Sequence, residues 1–388
     1  MIHSSVLSKL SIQASPSFRS VMTSSPMVNL LDLAASALSS TVVAADQIIA
    51  LSQPGSENNK NVRLKNDGSL ITDADLAAQG VIVQSLLNVS TNVRLVGEES
   101  EEEMAEHGKD ITGHEERAEA MFRLAQQEIL IRYNRSDDPL PLAQTSDTAS
   151  SLPASSAEEL SQLSRLDDYE VEASRVTVFI DPLDGTKAYA RGDYDPVTVL
   201  VAIVLDGSPC FGVICKPFGH RGGQTSILDT GCVAVYGGTL LGGAFTAGGP
   251  TCIYKSRNDE LPRAVISSSR SQGIVQEFVA HLGSKGIIDP EPMLISGAGE
   301  KSLRMILRSE NEGLWFFPKP GTSLWDVAAS DALLRATGGK LTDKNGKELD
   351  YSKSRNEAEN QEGIIACYDQ ELHAECIRIY LEGAWSES

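Results

Sequence analysis

The sequence predicts an α+β half followed by an α/β half, divided near residue 250. Three observations carry this expectation. Two long apolar segments at helical spacing come first. Four β-branched segments then lie close together at 174–180, 197–206, 210–216 and 231–237, spaced as an antiparallel meander would be. Beyond about residue 260, short strand-like segments alternate with helical ones. The expected division is a tail over 1–28, a first half over 29–250 with an acidic, Ser-rich insertion at about 100–172, and a second half over 251–388. No internal repeat is visible.

The tail contains no acidic residue before Asp32 and is rich in serine. It reads either as an organelle transit peptide or as a plain tail. The compartment expected is intracellular: the cytoplasm for a plain tail, a plastid or mitochondrion for a transit peptide. Residues 29–55 are apolar at helical spacing and are stopped by Pro54-Gly55, which predicts a long helix. A turn at Asn66-Asp67-Gly68 precedes a second helix, capped by Thr72 or Asp73. "VRLVGEES" is a short strand running into Gly97, Glu98 and Glu99. From Glu98 to Glu119 there are ten acids and two bases, and everything after Glu99 reads as a solvated face. A helix follows at 116–133. The Ser- and Pro-rich stretch from 134 to 170 reads as a mobile insertion rather than a boundary.

After the meander comes the Gly-rich "GGTLLGGAFTAGGP". The second half then predicts a strand at 263–267, helices at 271–283 and near 300–309, a strand at 313–317, a helix at 325–337, a strand near 363–367 and a final helix from 369.

At 388 residues with 41% hydrophobic and 22% charged, the chain has the composition of a soluble globular protein. Its longest apolar run, Val197–Leu205, is too short to span a bilayer, so no membrane partner is expected. The net charge of −20 argues against a nucleic acid polymer. An anionic substrate would need local positive charge, which bound metal can supply. Cys210, Cys215, Cys232, Cys252, Cys367 and Cys376 form no CxxC pair and read as reduced thiols packed as small apolar residues.

The chemistry is concentrated in "VTVFIDPLDGTKAY", 176–189. Pro182 removes a donor and disfavours helix for Asp181, so the strand is expected to end at Asp181. The turn can then bring Asp181, the Leu183 carbonyl and Asp184 round one point, a set of hard oxygens that suits Mg²⁺. Two carboxylates in one small site repel each other without a cation. Gly185 allows close backbone approach, and the amides of Gly185 and Thr186 point where an anion could sit. The alternative is a polar turn. Glu98 and Glu99 follow a strand and a glycine, but Glu99 equally begins the acidic run. Asp326 in "GTSLWDVAASDALLRATGG", like Asp73 and Asp75, stands at a helix start, where capping alone would explain it. There is no HExxH, GxSxG or post-strand GxGxxG. "GAGEKS" (297–302) is not a P-loop, because Glu300 separates glycine from lysine and the upstream glycine spacing is missing. Lys301 beside this turn can still touch a substrate, although exposure is the default state of a lysine.

Taken in order, "VGEES", "DPLDGT" and "GTSLWDVAA…GG" resemble the magnesium-dependent, lithium-sensitive phosphatases of the inositol monophosphatase and fructose-1,6-bisphosphatase superfamily. The resemblance runs from about residue 29 to the end, outside the insertion. "DPLDGTKAY" with "DPVTVLVAIVLDGSPCFGVICKPF", "SGAGEKSLRMI" and "GGKLTDKNGKELDY" are most similar to the 3'(2'),5'-bisphosphate nucleotidase group, with Ala188 standing where that group has an acid. The resemblance implies a five-layered αβαβα sandwich with the site between its halves.

It also implies two to three Mg²⁺ ions. Glu98, Asp181 and the Leu183 carbonyl would hold the first. Asp181, Asp184 and Asp326 would hold the second, and Glu98 would bridge to a third, with Glu99 in an outer shell. Asp75 and Thr186 would orient and deprotonate the attacking water. Gly185, Thr186, Asp326 and Lys301 would contact the substrate. The implied reaction removes the 3'-phosphate of adenosine 3',5'-bisphosphate, and of its sulfated precursor PAPS. The alternatives are an inositol polyphosphate 1-phosphatase acting on inositol 1,4-bisphosphate, and a non-catalytic anion-binding relative. The presence of Glu98, Asp181, Asp184, Thr186 and Asp326 weighs against the last.

Overall fold

The computed structural model describes residues 25–53, 61–65, 68–107, 115–134, 169–219, 232–247 and 260–385. Most of the tail and of the Ser-rich insertion lie outside these residues, as do Pro54-Gly55, Cys252 and the division expected at residue 250. The strands are β1 (Met27–Asn29), β2 (Arg63–Leu64), β3 (Leu70–Ile71), β4 (Arg94–Gly97), β5 (Glu170–Glu172), β6 (Val176–Asp184), β7 (Thr198–Leu205), β8 (Ser208–Lys216), β9 (Val233–Gly238), β10 (Gly243–Thr246), β11 (Arg263–Ser267), β12 (Met293–Ile295), β13 (Glu312–Phe317), β14 (Lys340–Thr342) and β15 (Ile364–Cys367). The helices are α1 (Leu30–Ser52), α2 (Asp73–Val89), α3 (Glu101–His107), α4 (Glu115–Asn134), α5 (Thr186–Arg191), α6 (Ile274–Ser284), α7 (Ala298–Leu307), α8 (Leu324–Ala336) and α9 (Gln370–Glu382).

Two sheets organise the fold. The first runs β10-β9-β8-β7-β6-β4; it is antiparallel except that β4 lies parallel to β6. The second, β12-β11-β13-β15-β14, is mixed. Both sheets are covered on both faces, which is why their central strands are continuous apolar runs rather than alternating ones. Val199, Val201 and Ile203 of β7 pack with α1 and α2 in one core, while Leu200, Ala202 and Val204 face a second core that holds Leu303 of α7 and Val327 and Ala328 of α8. Trp315 and Phe317 of β13 complete that second core. Leu314 and Phe316 face a third, with Phe278 of α6 and Cys376 of α9. The order is helices, sheet, α7 and α8, sheet, helices: a five-layered αβαβα sandwich.

Helix α1 is long and apolar enough to cross a membrane by length and composition, but most of it is buried inside the protein. It is the helix on which α2 and α4 pack. Small residues matter most at α8, where a Cβ on Gly212 of β8 would stand 2.5 Å from the Ala329 carbonyl oxygen.

Two expectations need correction. The β6 strand does not end at Asp181 but continues through Pro182 to Asp184. The register slips between Asp181↔Leu200 and Asp184↔Thr198, and the missing proline N–H falls in this bulge, where the ladder asks for no donor. Met27 and Val28, assigned to the tail, form β1 paired with β5, and Val28 is in the core. The acidic run after Glu99 is helical over Glu101–His107, with Glu101 and Glu102 exposed as a solvated face requires. The helix expected at 116–133 is α4, and Met121, Ala125 and Ile129 bury one side of it in the first core.

Candidate active site

The β6 bulge is the centre of the site. It turns the chain so that Leu183 N–H donates to Asp181 Oδ1 at 3.1 Å. Gly185 then takes the left-handed conformation (φ 92°) ahead of the short helix α5, where its lack of a side chain avoids strain. β4 runs beside β6 in parallel, and the Glu98 amide continues the ladder to the Ile180 carbonyl at 3.0 Å. Glu98 therefore emerges at the same sheet end as Asp181. Asp184 Oδ2 accepts from the Gly299 amide at 2.7 Å and from the Thr198 hydroxyl at 3.2 Å.

Two helix starts deliver the remaining acids. Asp75 is the third residue of α2; its Oδ2 accepts from Thr72 N at 2.8 Å and from the Thr72 hydroxyl. Its other oxygen lies 3.1 Å from the Thr186 hydroxyl, which also sits 3.1 Å from the Leu183 carbonyl. Asp326 is the third residue of α8, with Oδ2 accepting from Ser323 N at 2.7 Å. Both acids are caps and both are in the cluster, so capping and function are not alternatives here. Asp73 is different: it pairs with Arg63 and Asn61, each at 3.0 Å.

The electrostatics follow from crowding. Burial, with the charges of Glu98, Asp184 and Asp326, holds the Asp181 carboxyl well above the usual range. Burial and the Asp184 charge likewise push Asp326 up. Burial carries Asp75 up to about 7, against its bonds to Thr72 and with the Glu98 charge assisting. Lys65 answers part of this negative charge, 3.1 Å from Glu98 and 2.8 Å from Glu99. Burial alone would lower its ammonium, but the two carboxylates raise it. Glu99 is turned into the protein: its amide and carbonyl are both held by Gln79, at 3.0 and 2.8 Å. Lys301, buried in α7, donates to the Gly297 carbonyl. Burial lowers it to about 8, opposed by Asp184 and assisted by Arg270.

This donor set fits a hard divalent cation. Carboxylates that raise one another's proton affinity in a half-enclosed site are stabilised by positive charge, and oxygen ligands suit Mg²⁺. Among the described residues no three His, Cys, Asp or Glu side chains form a preformed cage; several of the oxygens are turned to internal donors. Mg²⁺ tolerates this, because it keeps several waters and needs few protein ligands. The structure thus brings Asp75, Glu98, Asp181, Asp184, Thr186 and Asp326 together. Thr198 and Gly299, from the "DPVTVLVAIV" and "SGAGEKS" stretches, join them, as do Lys65 and Gln79, which no local motif announces. Arg355 joins them too, 257 residues from the Glu98 carbonyl to which it donates.

The inositol monophosphatase family model matches residues 142–378. The chain belongs to that family. Its fold is that of solved family members, for example CysQ from Bacteroides thetaiotaomicron, with a TM-score of 0.53 at 18% identity over 87% of this chain and 97% of that one. By sequence the chain is 28% identical to the 3'(2'),5'-bisphosphate nucleotidase 1 of Dictyostelium discoideum over 88% of its own length and 94% of that protein's. It is 31% identical to the human protein of the same name over 50% of its length. That second match takes in 58% of the human protein, so the chain spans a little over half the length of that relative. In a member of this family, the carboxylate cluster at the ends of β4 and β6 is the candidate active site.

Proposed function

We propose that the protein is a Mg²⁺-dependent phosphomonoesterase that removes the 3'-phosphate from adenosine 3',5'-bisphosphate, giving AMP and phosphate, and acts likewise on the 3'-phosphate of PAPS. The observation that carries this reading is the pairing of Thr186 with Asp75 beside the cluster of Glu98, Asp181, Asp184 and Asp326. The names of the relatives supply the substrate, and the family is generally magnesium-dependent. Glu98, Asp181, the Leu183 carbonyl, Asp184 and Asp326 would hold two to three ions, with Glu99 and Lys65 behind them.

When bound, the metal lowers the pKa of water and neutralises charge on the phosphate oxygens. The chain's own residues do the rest. The Thr186 hydroxyl accepts a proton from the attacking water while its own proton passes to Asp75 Oδ1. Asp75, raised to about 7 by burial, is suited to take that proton near neutrality. The amides of Gly185 and Thr186 bind phosphate oxygens. Lys301, beside Asp184 and Asp326, meets the negative charge of the substrate.

The test is phosphate release with Mg²⁺ from adenosine 3',5'-bisphosphate, inositol 1,4-bisphosphate and inositol 1-phosphate at equal concentration, with Asp184→Asn as control. Preference for the nucleotide is the expected result. Preference for inositol 1,4-bisphosphate would move the substrate and keep the site; full activity in folded Asp184→Asn would remove the site itself.

A further inference from the structure

We infer that the buried ion pair between Lys216 and Glu300 is a positioning device for the active site, holding the first turn of α7 so that the Gly299 amide stays on Asp184. Lys216 ends β8 in the first sheet and Glu300 lies in the first turn of α7 in the middle layer. Their side chains are 1% and 3% exposed, and ammonium and carboxylate are 2.7 Å apart. The remaining Glu300 oxygen is engaged by Arg304 Nε at 3.0 Å. A second carboxylate, that of Asp195, lies 3.9 Å from Lys216 and is 43% exposed.

Stability alone is a weak reason to keep such a pair, because well-packed apolar residues hold two elements together about as well as buried charges. A charged pair instead fixes distance and direction, and the next residue shows what is being fixed. Gly299 precedes Glu300, and its N–H donates to Asp184 Oδ2 at 2.7 Å. The Thr198 hydroxyl donates to the same oxygen at 3.2 Å. The seat has no slack: a Cβ on Gly299 would stand 2.0 Å from Thr198 Oγ1, and one on Gly297 would stand 2.9 Å from Asp184 Oδ2. With Oδ2 taken by two donors, Oδ1 is the oxygen left to a cation, and the carboxylate plane is set by the turn of α7. Lys216 and Glu300 touch neither substrate nor ion, and act through Gly299. The inference rests on the reading of Asp184 as a cation ligand.

The experiment compares wild type with Glu300→Gln, Lys216→Met and the charge-retaining Lys216→Arg by three readouts: direct Mn²⁺ binding without substrate, amide exchange over residues 297–301, and kcat and KM against Mg²⁺. In Glu300→Gln and Lys216→Met the metal midpoint should rise by about 10- to 100-fold, the usual effect of losing an outer partner of a ligand. Exchange at Gly299 should accelerate, kcat should fall more than KM changes, and Lys216→Arg should restore most of each. If the folded variants lose thermal stability yet keep the Mn²⁺ midpoint and the Gly299 exchange rate, the pair only packs and the inference is wrong. Should Lys216→Met not fold, Glu300→Gln and Lys216→Arg decide the same question. If wild type itself binds no Mn²⁺, the reading of Asp184 fails, which is a different outcome from failure of the pair.

Discussion

The Thr186 hydroxyl lies 3.1 Å from Asp75 Oδ1, although 111 residues separate them in the chain. The contact is possible because α2 starts beside the β6 bulge and because Asp75, as its third residue, already uses Oδ2 to cap the helix. Capping fixes the carboxylate's orientation, so the free-facing oxygen meets the hydroxyl without an added ordering cost. Asp326 repeats the device at α8. Two of the cluster's carboxylates are thus aimed by helix starts, and Asp184 by Gly299 and Thr198.

Asp75→Asn should therefore separate chemistry from folding. Asparagine keeps an acceptor for Thr72 N but cannot take the proton from Thr186. We expect kcat to fall by roughly a hundredfold or more, the usual scale for a general base, with an unchanged or higher melting temperature because a buried charge is removed. Thr186→Ala should lose a similar factor, and the double variant little more than either. Additive losses in the double variant would show that the two groups do not act as one relay.

Mg²⁺ should raise the melting temperature, and a chelator should reverse the rise. A ligand at a hundredfold excess over its Kd stabilises by about 2.7 kcal/mol. The metal-free protein carries the cost of crowding Asp181 among Glu98, Asp184 and Asp326. Asp181→Asn should consequently be at least as stable as wild type without metal and gain little from Mg²⁺. Equal Mg²⁺-induced shifts in both proteins would place the cation elsewhere.

The parts of this site legible in the sequence are those where several constraints fall on consecutive residues. The run from Asp181 to Thr186 reads as a site because proline, two acids and glycine stand together after a strand. Even there the sequence points to a strand end at Asp181, whereas a bulge admits Pro182 and pairing resumes at Asp184. Lys65 and Arg355 carry no such signal, and the stretches that hold Thr198 and Gly299 give neither residue a role. Each is an ordinary residue whose importance comes from a long-range contact, such as the 115 residues between Gly299 and Asp184. The second sheet shows the same limit. β13 reads as a strand because it is buried on both faces, whereas Met293–Ile295 and Lys340–Thr342 are three residues each and exist through pairing with β11 and β15.

Gly212→Ala should disturb the layer between the sheets. The new Cβ would meet Ala329 backbone atoms at 2.5 and 2.8 Å, and a helix backbone yields far less than the end of a side chain. Overpacking of this kind costs about 1–3 kcal/mol. Because α8 also carries Asp326, the Mg²⁺-induced rise in melting temperature should shrink along with the urea midpoint. A variant as stable as wild type would mean that β8 and α8 can separate, contrary to the fit described.

Acid sensitivity should arise in part from His373, which is not a member of the carboxylate cluster. Its ring is buried between α9 and the second sheet, with Nε2 2.9 Å from the Thr342 hydroxyl. Burial, with the Lys340 charge, lowers its pKa to about 4 from 6.5. The folded protein therefore keeps the ring neutral down to about pH 4, while the unfolded chain takes up a proton near 6.5. Below pH 6.5 the unfolded state binds more protons, so this contribution is fully favourable above 6.5 and is lost as the pH falls towards 4. Between pH 7 and 5 the loss is about 2 kcal/mol by linkage, and it should be read from urea unfolding at the two pH values. His373→Gln, which cannot titrate, should show a pH dependence shallower by that amount. Parallel curves for the two proteins would mean that the ring is protonated in the folded state as readily as in the unfolded one.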